Sequence, residues 1–380
     1  MGESGFAAAI RRARATGRPL IDLTISNPTM CGFTYDAETI LAPLGGAGAM
    51  TYDPDPRGMR SAREAVAGYY ADHSAEVDPD HVVLTTSTSE GYGYLFRLLC
   101  DAGDEVLVAQ PSYPLFDFLA DLQDVRLRSY PLFYDFGWWI DFAELERRIG
   151  PRTKAIVVVH PNNPTGHVTG AAERQKLEEI CARNGLALIV DEVFLDYPVG
   201  GEGGDARLES FATGSHAVLT FVLSGMSKVA GLPQMKVAWI AGFGPDEVRL
   251  EAMGRLEVVA DTFLSMSAPV QLALPIWLLG RHGIQRQIRA RVRENLGLAR
   301  KAALEVLRTE AGWSAIVRLP LRGGRGDIAG ELLAEAGVVV HPGSFYGIGE
   351  PGRIVVSLIG RTEEFAEGVA LIRRLDETDR

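Results

Sequence analysis

Two hydrophobic rhythms divide the chain. Between about His81 and Ala241, short β-branched runs alternate with amphipathic stretches. Short apolar runs bounded by turn residues fit strands buried on both faces of a parallel sheet, and the stretches between them fit covering helices. The pattern predicts seven strands: His81 to Leu84, Glu105 to Ala109, Val125 to Tyr130, Ala155 to His160, Ala187 to Asp191, Val218 to Leu223 and Lys236 to Ala241. The clearest helix runs from Gly170 to Asn184, where Ala172, Leu177, Ile180 and Cys181 mark one apolar face. After about Ser265 the rhythm changes. A long helical stretch, Pro269 to Glu310, leads into strand-like runs at Ala315 to Leu319, Gly337 to His341 and Ile354 to Ile359.

With 380 residues, 47% of them apolar, the chain is long enough for two domains. The expected fold is α/β. A large domain, residues 45–268, holds a mostly parallel seven-stranded sheet between helices. A smaller α+β domain, residues 1–44 and 269–380, draws on both termini and carries a long interdomain helix.

Charge and composition narrow the partners. A formal net charge of −11 argues against nucleic acid or anionic membranes, which are held by a basic surface excess. The arginines between Arg281 and Arg300 then read as a solvated helix face. Charges, Gly or Pro interrupt every apolar segment, so no membrane span is expected. No basic segment precedes an apolar run between Met1 and Ile10, so no signal peptide is expected either. Cys31, Cys100 and Cys181 are widely spaced, which fits reduced thiols and a cytoplasmic setting. His73, His160 and His341 lack metal-ligand spacing. The Gly200 to Asp205 stretch lacks a phosphate-loop ending and reads as a surface loop, while Trp138 and Trp139 read as packing residues.

In open α/β sheets ligands sit outside the carboxyl ends of the strands, and the polar motifs fall there. Leu223-Ser224-Gly225-Met226-Ser227-Lys228 ends a strand in small residues and delivers a lysine. A lysine in such a place can form an imine with an aldehyde, although alone it would read as a surface residue. The strand Ala187 to Asp191 ends in the acids Asp191 and Glu192; a buried carboxylate can keep a pyridine nitrogen protonated, or simply cap a helix. His160-Pro161-Asn162-Asn163-Pro164-Thr165-Gly166 is a rigid turn that can hold the Asn163 amide as a donor. Thr85-Thr86-Ser87-Thr88-Ser89-Glu90-Gly91 sets hydroxyls and backbone amides at a helix start, which suits a phosphate, though a capping box looks similar. In Gln110-Pro111-Ser112-Tyr113-Pro114, Tyr113 offers an aromatic face for stacking.

Taken together and in this order, these motifs resemble the fold-type I enzymes that use pyridoxal 5'-phosphate (PLP), in particular the class I/II aminotransferases. The resemblance spans nearly the whole chain, from Asn27-Pro28 onward. It implies a PLP-dependent transaminase that moves an amino group between an amino acid and a 2-oxo acid. Lys228 would carry the cofactor as a Schiff base and shuttle a proton, Asp191 would pair with the pyridine nitrogen, Asn163 would reach the phenolic oxygen, and Tyr113 would stack on the ring. Ser87, Thr88 and Ser89 would hold the phosphate, with Ser224 and Lys236 nearby. Tyr52 opens a Tyr-x-x-x-x-x-Gly motif that in the family reaches the neighbouring subunit's phosphate, which implies a homodimer. A PLP lyase or decarboxylase on the same scaffold is the main alternative, because fold does not fix reaction. A PLP-binding regulatory domain is a further one.

The chain departs from the family in four places. Lys236 stands for an arginine on the phosphate, a point charge in place of a fork. Gly225 stands for a serine, with Ser224 as its possible substitute. Phe194 stands for a tyrosine, with Tyr197 as its possible substitute. Near the C-terminus, where the family holds an arginine for the substrate carboxylate, the chain reads Gly352-Arg353-Ile354-Val355-Val356-Ser357-Leu358. One register puts Arg353 at that position and the other puts Val355 there; Arg361 is a weaker substitute, and a substrate without an α-carboxylate is the alternative. Phe33 and Tyr35 are candidates on the substrate side.

Overall fold

The structure, a computed structural model, describes residues 5–200, 207–320 and 327–377. Nearly all of the Gly200 to Asp205 stretch lies outside the described residues. An eight-stranded sheet forms the centre, from β1 (Val82–Thr85), β2 (Glu105–Gln110), β3 (Arg126–Tyr134), β4 (Trp138–Ile140), β5 (Thr153–Val159), β6 (Ala187–Asp191), β7 (Thr220–Gly225) and β8 (Ala238–Phe243). Their spatial order is β1-β8-β7-β6-β5-β2-β3-β4. All neighbours run parallel except β8, which is antiparallel to β1 and β7, and β4, which is antiparallel to β3.

The expected seven strands become eight because Trp138–Ile140 folds back on Leu132–Tyr134. Trp138 and Ile140 are buried and Trp139 is exposed, the alternation of an edge strand packed on one side. Lys236, expected to open the last strand, is a left-handed turn residue with φ 52°, and that strand starts at Ala238.

The stretch expected as one helix from Pro269 to Glu310 is two helices, Ala268–Gly280 and His282–Lys301, followed by a short strand, Glu305–Val306. A second, antiparallel sheet runs Glu305–Val306, Ser314–Arg318, Arg353–Ser357, His341–Pro342. Ile21–Asp22 pairs in parallel with Val338–Val339, so the N-terminal segment is tied to the C-terminal one.

Because the central strands are buried on both faces, alternate residues feed two cores. Leu107, Ile156, Leu188 and Val222 meet Tyr69, Tyr70 and Trp239 on one face, in a cluster that continues to Trp313, Ile316 and Val355. Val106, Val157, Ile189, Phe221 and Leu223 meet Leu95, Phe96 and Leu256 on the other. Burying each such side chain contributes roughly 1.5–3 kcal/mol, which is why the register of the strands is fixed. No helix among the described residues is long and apolar enough to cross a membrane, and no group of metal-binding side chains occurs among them.

Candidate active site

A cavity of about 300 Å³ opens at the carboxyl ends of β1, β2, β5, β6 and β7. Its volume lies at the lower end of small-ligand pockets, roughly 300–1,000 Å³. Ser87, Thr88, Ser89, Tyr113, Asn163, Asp191, Lys228 and Lys236 all line it, although they come from motifs scattered along the chain.

Lys228 sits in the short helix Met226–Val229 directly after β7. Burial disfavours its charged form and lowers its pKa, with Asp191 pulling the other way. Its Nζ lies 5.9 Å from the centre of the Trp313 ring. Asp191 ends β6 and is buried; its Oδ1 accepts the Val193 amide at 3.1 Å and its Oδ2 accepts the Tyr92 hydroxyl at 3.1 Å. Burial raises its pKa to about 6 against those two bonds and the nearby Lys228. Glu192, next along, points away. It accepts from Ser210 Oγ at 2.7 Å and from the Phe211 amide, and burial raises its pKa to about 7.

The helix Thr88–Leu99 starts at the cavity. Ser87 Oγ accepts the Glu90 amide at 3.2 Å, while Glu90 reaches back to accept the Thr86 amide at 2.6 Å. This box uses the third amide of the helix and leaves those of Thr88 and Ser89 for an outside acceptor, as first-turn amides have no helical partner. An anion is favoured there. Lys236 supplies a cation to the same cavity.

Asn163 Oδ1 accepts from Ser314 Oγ at 3.3 Å, which fixes the amide orientation and turns its Nδ2 outward as a donor. The turn is rigid in a second way, since Thr165 Oγ1 donates to Asn162 Oδ1 at 2.8 Å. Tyr113 is 46% exposed and presents its ring at the mouth.

Several expected residues lie elsewhere. Ser224 is fully buried and donates to the Glu192 carbonyl at 3.5 Å, because β7 alternation turns it away from the face that Gly225 presents. At Gly225 an added Cβ would lie 2.8 Å from the Ala238 Cβ, so a serine does not fit there without displacing β8. Tyr35 does not line the cavity; its hydroxyl donates to the Gly231 carbonyl at 2.8 Å. Tyr197, considered as a stand-in for the tyrosine replaced by Phe194, donates instead to the Lys228 carbonyl. Phe194 itself lines the cavity and meets Trp313 edge to face at 5.4 Å. Arg353 opens its strand opposite Arg318 and stays outside the cavity, whereas Val355 and Ser357 on the same strand face line it. Arg361 is not in the lining either; its guanidinium lies against Gly32. Tyr52 is 71% exposed.

Other lining residues carry no motif. Tyr92 lies one helical turn beyond Thr88, so helical spacing from the helix start would have found it. Trp313, Ser314, His341, Tyr346 and Ser357 come from the C-terminal segments, and Thr24 and Ser26 from the N-terminal one.

The model of the aminotransferase class I and II family matches residues 43–370. Over 279 residues the chain is 30% identical to alanine aminotransferase of Mycobacterium tuberculosis, covering 72% of this chain and 63% of that protein. It is 27% identical to the glutamate-pyruvate aminotransferase AlaA of Escherichia coli, covering 73% and 68%. The alignment thus spans just under two thirds of the mycobacterial relative. Among solved structures, alanine aminotransferase of Pyrococcus furiosus superposes with a TM-score of 0.88 at 21% identity, covering 99% and 96% of the two chains. An aspartate aminotransferase double mutant from Thermus thermophilus gives 0.83 at 24% identity, covering 99% and 97%. These two share the fold, and with the family match over most of the length they place the protein: the chain belongs to the class I and II aminotransferase family.

Proposed function

We propose that the protein is a PLP-dependent aminotransferase that moves an amino group between an amino acid and a 2-oxo acid. The family is PLP-dependent. The observation that carries the reading is the enclosure of Lys228, Asp191 and the start of the Thr88–Leu99 helix in one cavity. These residues fit the cofactor: a buried amine for its aldehyde, a buried carboxylate for its pyridine nitrogen, and two first-turn amides with Lys236 for its phosphate. Asn163 Nδ2 suits the phenolic oxygen, and Tyr113 suits the ring face.

When bound, PLP supplies a carbonyl for the donor's nitrogen and a pyridinium that takes up the electron pair left when the α-carbon loses its proton. The remaining work falls to the protein. Lys228 Nζ, its ammonium form disfavoured by burial, takes the proton from the substrate's α-carbon and returns it on the cofactor side. Asp191 keeps the pyridine nitrogen protonated, and the Tyr92 hydroxyl holds that carboxylate in place. Phe194, Trp313 and Tyr346 wall the cavity with apolar surface and exclude water from the reacting carbon.

The same reading gives the protein a homodimeric form in which exposed Tyr52 reaches the neighbouring phosphate. Sedimentation that shows a dimer, with cofactor loss accelerated in Tyr52→Phe, supports it; a monomer that retains cofactor and full activity refutes it. For the reaction itself, the visible spectrum of the PLP-loaded protein should convert to that of the aminated cofactor on adding single amino acids, with release of the matching oxo acid. Sustained release of ammonia or carbon dioxide without that conversion would assign the chain to the lyases or decarboxylases.

A further inference from the structure

The substrate end of the cavity carries no arginine among the described residues. Along the Arg353–Ser357 strand, alternate residues share a face, and those that reach the cavity are Val355 and Ser357. His341 pairs with Val355 across the sheet and adds no firm cation, because burial lowers its pKa.

Two residues that line this end each carry a buried donor without a partner: Trp313 Nε1, on a residue 2% exposed, and Ser357 Oγ, on a residue 5% exposed. A buried N–H left unsatisfied is costly, so such a pair in a ligand cavity marks where an acceptor belongs. Ser357 faces Ser314 across the strand pair, and Ser314 is already committed to Asn163. Trp313 also sits beside Lys228, so an acceptor held there adjoins the reacting carbon.

The charge of that acceptor follows from what surrounds it. Asp191 and a cofactor phosphate bring negative charge to the cavity, against Lys236. A further carboxylate at the Trp313 end would be buried beside apolar Val355 and Phe194, with no arginine in the lining to pair with and with the charged form of Lys228 disfavoured by burial, which is unfavourable by more than two neutral hydrogen bonds return. A neutral carbonyl oxygen takes both donors at no such penalty.

We propose that Trp313 Nε1–H and Ser357 Oγ–H bind a neutral acyl oxygen next to the reacting carbon, so that one of the two amino-group carriers is an amino acid derivative with its carboxyl capped as an amide or ester. This rests on the aminotransferase reading above.

The test uses the PLP-loaded protein and three pairs of donors: alanine, leucine and phenylalanine, each as free acid and as carboxamide, with single-turnover conversion of the cofactor band. The carboxamide should react at least as fast as the free acid. Trp313→Phe and Ser357→Ala should each slow the carboxamide about threefold to tenfold, the range of one neutral hydrogen bond. Val355→Arg should raise the ratio of acid to carboxamide by about tenfold to a hundredfold, as a charge-assisted contact would. Independently of turnover, the indole N–H resonance of Trp313, identified by its loss in Trp313→Phe, should shift with propionamide and stay in place with propionate. Free acids reacting faster in all three pairs would overturn the proposal, and so would an indole resonance that propionamide leaves unmoved. If neither acid nor carboxamide converts the cofactor, the aminotransferase reading fails, and the indole shift alone decides the donor pair.

Discussion

The two ends of the cavity are built differently. At the cofactor end, each side chain follows a strand of one sheet by a few residues, so contiguous motifs supply a lysine, a carboxylate and a helix start. The other end is assembled from separate segments, the first nearly three hundred residues before the rest: Thr24 and Ser26, then Trp313 and Ser314, His341, and Val355 with Ser357. Charge is concentrated at the first end and sparse at the second. A shared chemistry is thus held by local sequence, while selectivity depends on how distant segments pack, and the second can change without disturbing the first.

Substitutions should expose this division, and the largest effect belongs to the cofactor end. Lys228→Ala should lower turnover by about 10⁴-fold, the upper end of the scale of a lost general acid and base, while the phosphate contacts still retain PLP after dialysis. An activity loss explained wholly by cofactor loss would instead make Lys228 a mere anchor.

Asp191→Asn should cost about 10²- to 10³-fold in turnover, typical of a removed electrostatic partner. The same change should stabilise the cofactor-free chain. The folded pKa of Asp191 is raised from 3.8 to about 6, so its favourable contribution is complete below about pH 4 and is lost as pH rises through about 6. At pH 7.5 the ionised carboxylate is therefore a burden on the order of 2–3 kcal/mol that asparagine removes, measurable by denaturant unfolding. Equal stability of the two cofactor-free proteins would show that this end is not strained.

The same shift predicts how cofactor uptake depends on pH. Pairing with a protonated pyridine nitrogen needs Asp191 ionised, so PLP affinity of the cofactor-free chain should fall about tenfold per unit once pH drops below about 6. An affinity that is flat from pH 7 to 5 would remove Asp191 from cofactor binding.

The smallest effect falls between the ends. Tyr197→Phe deletes a hydroxyl that serves the Lys228 carbonyl, so stability should fall by about 1 kcal/mol while turnover stays within about threefold. A large change in the cofactor's absorbance would mean that the hydroxyl serves the cofactor after all.

Legibility in the sequence follows the same line. The seven central strands were readable because burial on both faces leaves continuous apolar runs, and their carboxyl ends then located Lys228, Asp191, Asn163 and Ser87 to Ser89. Trp138–Ile140 escaped because three residues of edge strand give too short an alternation to separate from ordinary packing. Counting from the motif makes Ser224 the substitute for the serine that Gly225 replaces, whereas strand alternation brings Gly225 to the cavity and turns Ser224 away from it. Arg353 and Val355 lie on one strand face, and only the depth of that strand in the fold decides which reaches the cavity. Trp313 and His341 had no local signal, since their places are set by tertiary pairing, of Trp313 with Leu358 through a backbone hydrogen bond and of His341 with Val355.

One pairing also bears on the order in which the molecule assembles. Strand β1, which leads into the helix start proposed for the phosphate, has a single neighbour in the sheet, β8, with Val82 opposite Ala241. Every other strand of the central sheet lies between them in the sequence. During synthesis the phosphate site thus has no sheet to rest on until the segment bearing Lys228 and the strand after it have emerged. Capture of the cofactor is on this reading a late event in folding, available only to a chain in which the most distant pairing of the central sheet is already made.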